Sequence, residues 1–320
     1  MANSGPSTEM IGHLSKLFSD TLNPAARQQA ESTLTSLERQ PEQHFALLLI
    51  NLISSYSDQP IPVRLAASIK LKNVCRQAWS DDEQLELENN QQLSIYQLVP
   101  ESDRQQLRSS LLPLLLQLSQ PNALSVNPIG LRLQLSECIS LIADKDFPEK
   151  WPTLIDELVT GMQGLSPDSV ALQAVLQSAH SIFRKWRAAF RSDALYTEIN
   201  LVLEKFAQPF LELLRVTDEA LSQPSPIPST TSTLLLLLQI FHDLSAQDLP
   251  PLFEDNLQSV FGIMLKYLNP KAQPNGIYVR NRPWQISWKA TQTKQLLKMD
   301  RKLEQKYVVS ESCMLNDTWT

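Results

Sequence analysis

Glycine is scarce in this chain, with 7 among 320 residues, where ordinary globular usage is roughly 7%. Folds that need many tight positive-φ turns are disfavoured by that shortage, and so are glycine-rich phosphate loops. Cysteine is scarcer still. Cys75, Cys138 and Cys313 lie far apart, which excludes a disulfide framework and predicts a reducing compartment. The four histidines, His13, His44, His180 and His242, are scattered. No HExxH, CxxC or paired His/Cys spacing occurs, so no metal site is expected. GxSxG and GxxxxGK[ST] are missing too, and with them any motif for a catalytic residue or a cofactor. Positive charge is short: 28 Lys and Arg face 34 Asp and Glu, for a net −6. That balance speaks against a nucleic-acid binder. The most apolar stretch, around Leu234–Leu238, falls well below the ~18 residues of a membrane span. Met1–Glu9 is small and polar, without the basic-then-apolar order of a signal peptide. A protein of the cell interior is expected.

Leucine is abundant, at 54 residues, and the apolar period is helical up to about residue 270. Stripes at helical spacing run through Met10–Phe18, Ala26–Leu37, Phe45–Ile53, Leu65–Ala78, Leu107–Leu118, Leu131–Ile142, Trp151–Met162, Leu172–Trp186 and Leu195–Leu214. After a Pro/Ser/Thr stretch, two more run to Leu244 and from Leu252 to Leu268. Eleven helices joined by short proline-containing turns predict antiparallel pairs, the first members beginning near residues 10, 41, 104, 151, 194 and 251. Residues 79–102 break the pattern with Asp81, Asp82, Glu83, Glu86 and Glu88 and read as an acidic loop. The repeat interval of roughly 40–57 residues sits near that of HEAT and armadillo arrays. An ordinary helical bundle competes with that reading. Its single core saturates near ~250–300 residues, which favours a stack that grows by addition. Residues 271–320 differ: nine Lys and Arg against four Asp and Glu, and three of the six tryptophans. They read as an irregular basic tail.

Three segments carry unusual residue sets. Phe183-Arg184-Lys185-Trp186-Arg187 interleaves cations with aromatics, which could bind phosphates or a protein. The aromatics extend the stripe from Leu172, however, so the cations fall on the polar face and at a helix C-terminus, where they are favoured. Asp146-Phe147-Pro148-Glu149-Lys150-Trp151-Pro152 reads as an architectural corner. Lys72, Asn73 and Arg76 share one helix face at i, i+1 and i+4. They are either a solvated face or part of the inner surface where solenoids bind ligands. Cys75 and Cys138 lie on apolar faces and read as core residues.

Two of the motifs have a family. Arg27-Gln28-Gln29-Ala30-Glu31-Ser32-Thr33-Leu34 resembles the R-x-x-A-E-x-x-L of the importin-β (karyopherin-β) N-terminal domain. Val63–Asn73, continuing to Trp79, resembles its A-A/S-x-x-L-K-N helix. The corner at 146–152, Ala179–Arg187, Leu195–Leu203, Gln247–Pro250 and Phe253–Asn256 are similar to the branch of that family that carries importin-α out of the nucleus. The resemblance implies an all-α solenoid of HEAT repeats, with antiparallel helix pairs stacked in a right-handed superhelix. It implies a transport receptor, not an enzyme, that shuttles between nucleus and cytoplasm through the nuclear pore. RanGTP, importin-α cargo and nucleoporins are its expected partners. Residues 1–103, with the acidic loop, would be the Ran-binding N-terminal domain, 104–270 further repeats, and 271–320 an unrelated tail. Lys72, Asn73 and Arg76 are the expected Ran contacts by helix position and family analogy, and Arg184, Lys185 and Arg187 are weaker candidates. The chain is much shorter than a full-length family member, so a partial function is expected. A scaffold or inhibitor that binds Ran or nucleoporins without cargo is the alternative.

Overall fold

The computed structural model describes residues 8–55, 58–79, 98–123 and 129–268. Among them are twelve α-helices and no strand. The helices are α1 (Thr8–Thr21), α2 (Arg27–Glu38), α3 (Phe45–Ser54), α4 (Ile61–Gln77), α5 (Glu101–Leu118) and α6 (Ile129–Asp146). They continue with α7 (Leu154–Met162), α8 (Val170–Phe183), α9 (Asp193–Leu221), α10 (Pro228–Ser245), α11 (Pro251–Asp255) and α12 (Leu257–Leu268). The chain divides into a compact unit, Met1–Met264, and a second unit, Leu265–Thr320. The basic tail, and the acidic loop apart from its ends, lie outside the described residues.

Within the first unit the helices form two rows. In one, α1 packs on α3, α3 on α5, α5 on α7, α7 on α9 and α9 on α11. In the other, α4 packs on α6, α6 on α8 and α8 on α10. The pairs α1/α2, α3/α4, α5/α6, α7/α8 and α9/α10 join the rows. This is the predicted stack of antiparallel pairs. Leu65 Cδ1 lies 3.7 Å from where a Cβ on Gly130 would be, and the Lys145 amine donates to the Arg76 carbonyl at 3.3 Å. Start meets start and end meets end, so α4 and α6 run parallel. In a two-row stack the chain crosses to the other row and back before each next helix, which makes every helix parallel to its predecessor in the row.

Local chemistry sets where the helices begin. Prolines lie in the first turns of α4, α10 and α11, where a missing N–H costs nothing. Ser192 caps α9 by accepting from the Leu195 N–H at 3.2 Å. The guanidinium of Arg64 is fully buried and donates to the Ile53 carbonyl at 2.8 Å. It thus satisfies an orphan acceptor at the end of α3, where positive charge also suits the helix dipole. Gly161 lets α7 approach closely, since a Cβ there would meet Val175 at 3.4 Å and Leu116 at 3.6 Å.

Three helix bounds differ from the sequence reading. The stripe from Leu172 to Trp186 is α-helical only to Phe183, and Arg184–Arg187 tightens to a 3-10 turn. Trp186 still buries, stacked on Phe183 with centroids 4.9 Å apart. An extra turn that tucks a large ring inward leaves the apolar period unchanged, so the pattern could not show the switch. The stripe from Leu252 to Leu268 is two helices, parted at Asn256, whose side-chain amide donates to the Leu252 carbonyl at 2.8 Å. A side chain that takes over a helix carbonyl ends the backbone series there. The helix expected over Leu195–Leu214 extends to Leu221 despite Pro209.

The core is aliphatic and continuous. Leu107, Leu111, Leu115, Leu135, Ile139, Ile142, Leu172 and Val175 are all inaccessible to solvent. Toward α9–α11 it becomes aromatic, through Phe183, Phe206, Phe210, Phe253 and Phe241, with successive centroids 5.1–6.0 Å apart.

The corner at 146–152 holds the pair α5/α6 together. Its Phe147–Pro148 peptide is cis, and Phe147 and Trp151 are buried. The Trp151 and Lys150 N–H groups both donate to the Asp146 carbonyl, at 2.9 and 2.7 Å. The Asp146 carboxylate, 3% exposed, takes the Arg108 guanidinium at 2.6 Å, and Arg108 also reaches Glu101 at 2.6 Å. Burial alone would lower the Arg108 pKa. Hydrogen bonds and charge from Glu101 and Asp146 outweigh it and hold the guanidinium above its ordinary value.

Replacing Arg108 with Met keeps the stem but strands a buried carboxylate. It should destabilise the unit by about 3–5 kcal/mol, measured as a lowered urea midpoint at unchanged m-value. R108M combined with D146L should recover most of that loss.

Candidate interaction surface

The second row, α4, α6, α8 and α10, carries exposed side chains of two kinds on α4 and α6. Its exposed apolar side chains include Ile69 in the middle of α4, and Ile129 and Leu133 near the start of α6, which are 41%, 67% and 41% exposed. Near the end of α4 they are polar or charged. Lys72 and Asn73 are half-buried on α4 and Arg76 is exposed. Lys72 lies close enough to the Cys138 thiol to act on it electrostatically. Lys72 and Arg76 form no side-chain ion pair among the described residues.

Arg184, Lys185 and Arg187 are placed differently. All three pair within the molecule, each to a neighbouring helix. Arg184 lies 3.5 Å from Glu137 of α6. Lys185 bonds Asp144 of α6 at 2.9 Å and sits 3.5 Å from Glu198 of α9. The Arg187 guanidinium bonds Asp243 of α10, and Asp243, with no exposed side-chain surface, also takes the His180 imidazole at 2.7 Å. Arg191 holds the Gln247 side chain and carbonyl at 3.1 and 2.8 Å, and the Gln247 amide returns to the Trp186 and Ala189 carbonyls. The 3-10 turn after α8 is thus a junction that ties α6, α9 and α10 together. The exposed pairs, Lys185–Asp144 among them, are worth about 0–1 kcal/mol each. The buried carboxylate of Asp243 matters more, because stranding it carries a desolvation cost. Sequence patterning picked out the cations and missed their partners. Glu137, Asp144 and Asp243 are 41–56 residues away from them in the chain, and only the stacking of α8 between α6 and α10 joins the two sets.

No group of three or more His, Cys, Asp or Glu side chains gathers in the geometry of a metal site among the described residues. No helix among them is long and apolar enough to cross a membrane. Cys75 of α4 and Cys138 of α6 are free thiols, fully buried. Burial, then the hydrogen bond and charge of Cys75, push the Cys138 thiol well up. It is therefore protonated across the neutral range and unreactive.

Most of the chain is similar to known proteins. Residues 30–117 match the family described as importin-beta N-terminal domain, and residues 182–275 match the family Cse1. The chain is 34% identical over 260 residues to the importin alpha re-exporter of Saccharomyces cerevisiae, covering 80% of this chain and 24% of that protein. It is 33% identical over 263 residues to exportin-2 of Drosophila melanogaster, covering 81% and 24%. Against human exportin-2 the figures are 35% over 241 residues, covering 74% and 22%. A solved structure of the exportin Cse1 in its cargo-free, cytoplasmic state superposes with a TM-score of 0.67 at 34% identity, over 81% of this chain and 26% of that one. The chain spans about a quarter of the length of the curated relatives it matches.

Two outcomes follow from this geometry. Arg187→Ala leaves Asp243 with His180 alone and should cost about 1–3 kcal/mol, read as a lower thermal midpoint. Lys185→Ala should shift it far less. In thiol titration at pH 8, Cys75 and Cys138 should stay unmodified in the native protein and both react in denaturant. Raising the pH to 9 should not make Cys138 react, because its raised pKa keeps the thiol protonated there.

Proposed function

We propose, from the matches to an importin-beta N-terminal domain over residues 30–117 and to the Cse1 family over residues 182–275, that the chain acts as the Ran-facing part of a nuclear export receptor for importin-α. The observation that supports this most is the similarity to importin-α re-exporters over 260 residues, which spans both rows of helices. Residues 1–103 hold RanGTP, residues 104–270 continue the array, and the receptor shuttles between nucleus and cytoplasm by way of nucleoporins. It is a binding protein and no reaction is assigned to it.

Ran contact falls to Lys72, Asn73 and Arg76. Near the end of α4 Arg76 is exposed and Lys72 and Asn73 are half-buried, and neither cation has an ion pair among the described residues. Arg184 is exposed and its partner is 3.5 Å away, so it can join such a contact. Lys185 and Arg187 contribute mainly by holding the junction. The acidic array complements a basic partner segment, and complementary fields speed encounter. A grip that uses several surfaces weakens steeply when one is missing. Since the chain spans about a quarter of its relatives, a second reading is binding of Ran without retention of cargo.

The test is a pull-down of the 320-residue chain against Ran loaded with a GTP analogue or GDP, with and without importin-α. GTP-selective capture is expected, and capture of importin-α only when Ran-GTP is present marks a cargo receptor. Ran-GTP capture without importin-α marks the second reading, and no binding to either refutes both. Alanine at 72, 73 and 76 together should weaken Ran binding by about tenfold or more, some 1.4 kcal/mol, without lowering the melting temperature. Unchanged Ran affinity in that variant removes these residues from the contact.

A further inference from the structure

The Pro/Ser/Thr stretch that joins α9 to α10 has no part in the transport role proposed above. It reads Pro224-Ser225-Pro226-Ile227-Pro228-Ser229-Thr230-Thr231-Ser232-Thr233. Its hydroxyls differ in what they can reach. Ser229–Thr233 are wound into α10, and Thr230 and Thr233 are buried as well. Ser222, at the end of α9, donates its hydroxyl to the Asp218 carbonyl at 2.6 Å. Ser225 is exposed, lies outside both helices and makes no hydrogen bond among the described residues. The chain on either side of it is exposed too, apart from the half-buried Pro226.

Prolines flank this serine on both sides. A residue before proline is kept out of the helical region by clash with the ring. Ile227, before Pro228, shows the effect with φ −75 and ψ 127, and the same rule acts on Ser225 before Pro226. Protein kinases take their acceptor serine in extended chain. A proline directly after it has no N–H to strand in an apolar pocket, which is the basis of proline-directed recognition. The sequence has a second Ser-Pro pair, Ser166-Pro167, between α7 and α8. There the Ser166 hydroxyl donates to the Asp168 carboxylate. The Ser169 N–H donates to the Ser166 carbonyl at 2.9 Å, and the Pro167 carbonyl accepts from the Thr233 hydroxyl at 2.6 Å. That pair is closed into a turn tied to α10, and a phosphate on it would be repelled by Asp168. At Ser225 the local field is favourable. The first turn of α10 has no acidic residue, and Ile227 gives it no side-chain cap, so the positive end of the helix is open to an anion.

We propose that Ser225 is a phosphorylation site for a proline-directed serine/threonine kinase, with ATP as the donor. The bond from the γ-phosphorus to the bridging oxygen of ADP breaks, a bond to Ser225 Oγ forms, and the hydroxyl proton passes to the catalytic carboxylate of the kinase. The modified loop carries about two added negative charges ahead of α10.

The full 320-residue chain tests this by incubation with ATP and a purified mitogen-activated or cyclin-dependent kinase, followed by mass-spectrometric mapping of phosphopeptides. Phosphate is expected on Ser225 and not on Ser166. Ser225→Ala should lose the label at an unchanged melting temperature. Pro226→Ala should slow labelling by about tenfold or more, because the new N–H is left unpaired in the kinase pocket. A native chain that takes no phosphate on Ser225, equal labelling of Ser166, full incorporation into the Ser225→Ala chain, or an unchanged rate with Pro226→Ala would each overturn the assignment. These readouts are independent of Ran and cargo binding.

Discussion

A helix pair in this protein cannot bury its own apolar stripe, and everything else follows from that constraint. α6 shows it most directly. Leu131, Leu135, Cys138, Ile139 and Ile142 are all inaccessible to solvent, and shielding them takes α4 on one side, α8 on the other and α5 behind. Area buried between pairs supplies the main stabilisation, so the pairs are stable as a stack and not singly. A two-row stack leaves the outer side of each row uncovered by the helices of the other.

Polar cross-ties then set how the pairs register. Buried aspartates recur at the junctions: Asp103 with His44, Asp146 with Arg108, Asp243 with His180 and Arg187. Each pairs with a basic side chain from another element of the stack. A buried carboxylate of this kind adds little net stability, yet a slipped packing that strands it is penalised heavily. The apolar stripes tolerate sliding by a turn, and these ties do not. The 3-10 turn at Arg184–Arg187 shows the combination, with a tryptophan anchored inward and cations reaching to three neighbouring helices.

The same logic separates the two basic clusters that residue types alone make equivalent. Lys72 and Arg76 of α4 keep no side-chain ion pair among the described residues, whereas Lys185 and Arg187 are held by intramolecular carboxylates. A binding surface and a structural junction can therefore share one composition. The proposed Ran contact rests on the first cluster and the integrity of the stack on the second.

Helix positions, the pairing, the stack and the corner at Asp146–Trp151 were legible in the sequence. Apolar period, proline in first turns and repeat interval are properties of neighbouring residues, and local sterics and burial act on them directly. Even the family motifs are local strings. The pairing of Arg184, Lys185 and Arg187 with Glu137, Asp144 and Asp243 was decided by tertiary structure. These partners lie 41–56 residues away in the chain and meet only when one pair stacks on the next. A carboxylate on a polar stripe reads as solvated until a neighbouring helix covers it, because burial belongs to the assembled stack and not to any stretch of the chain.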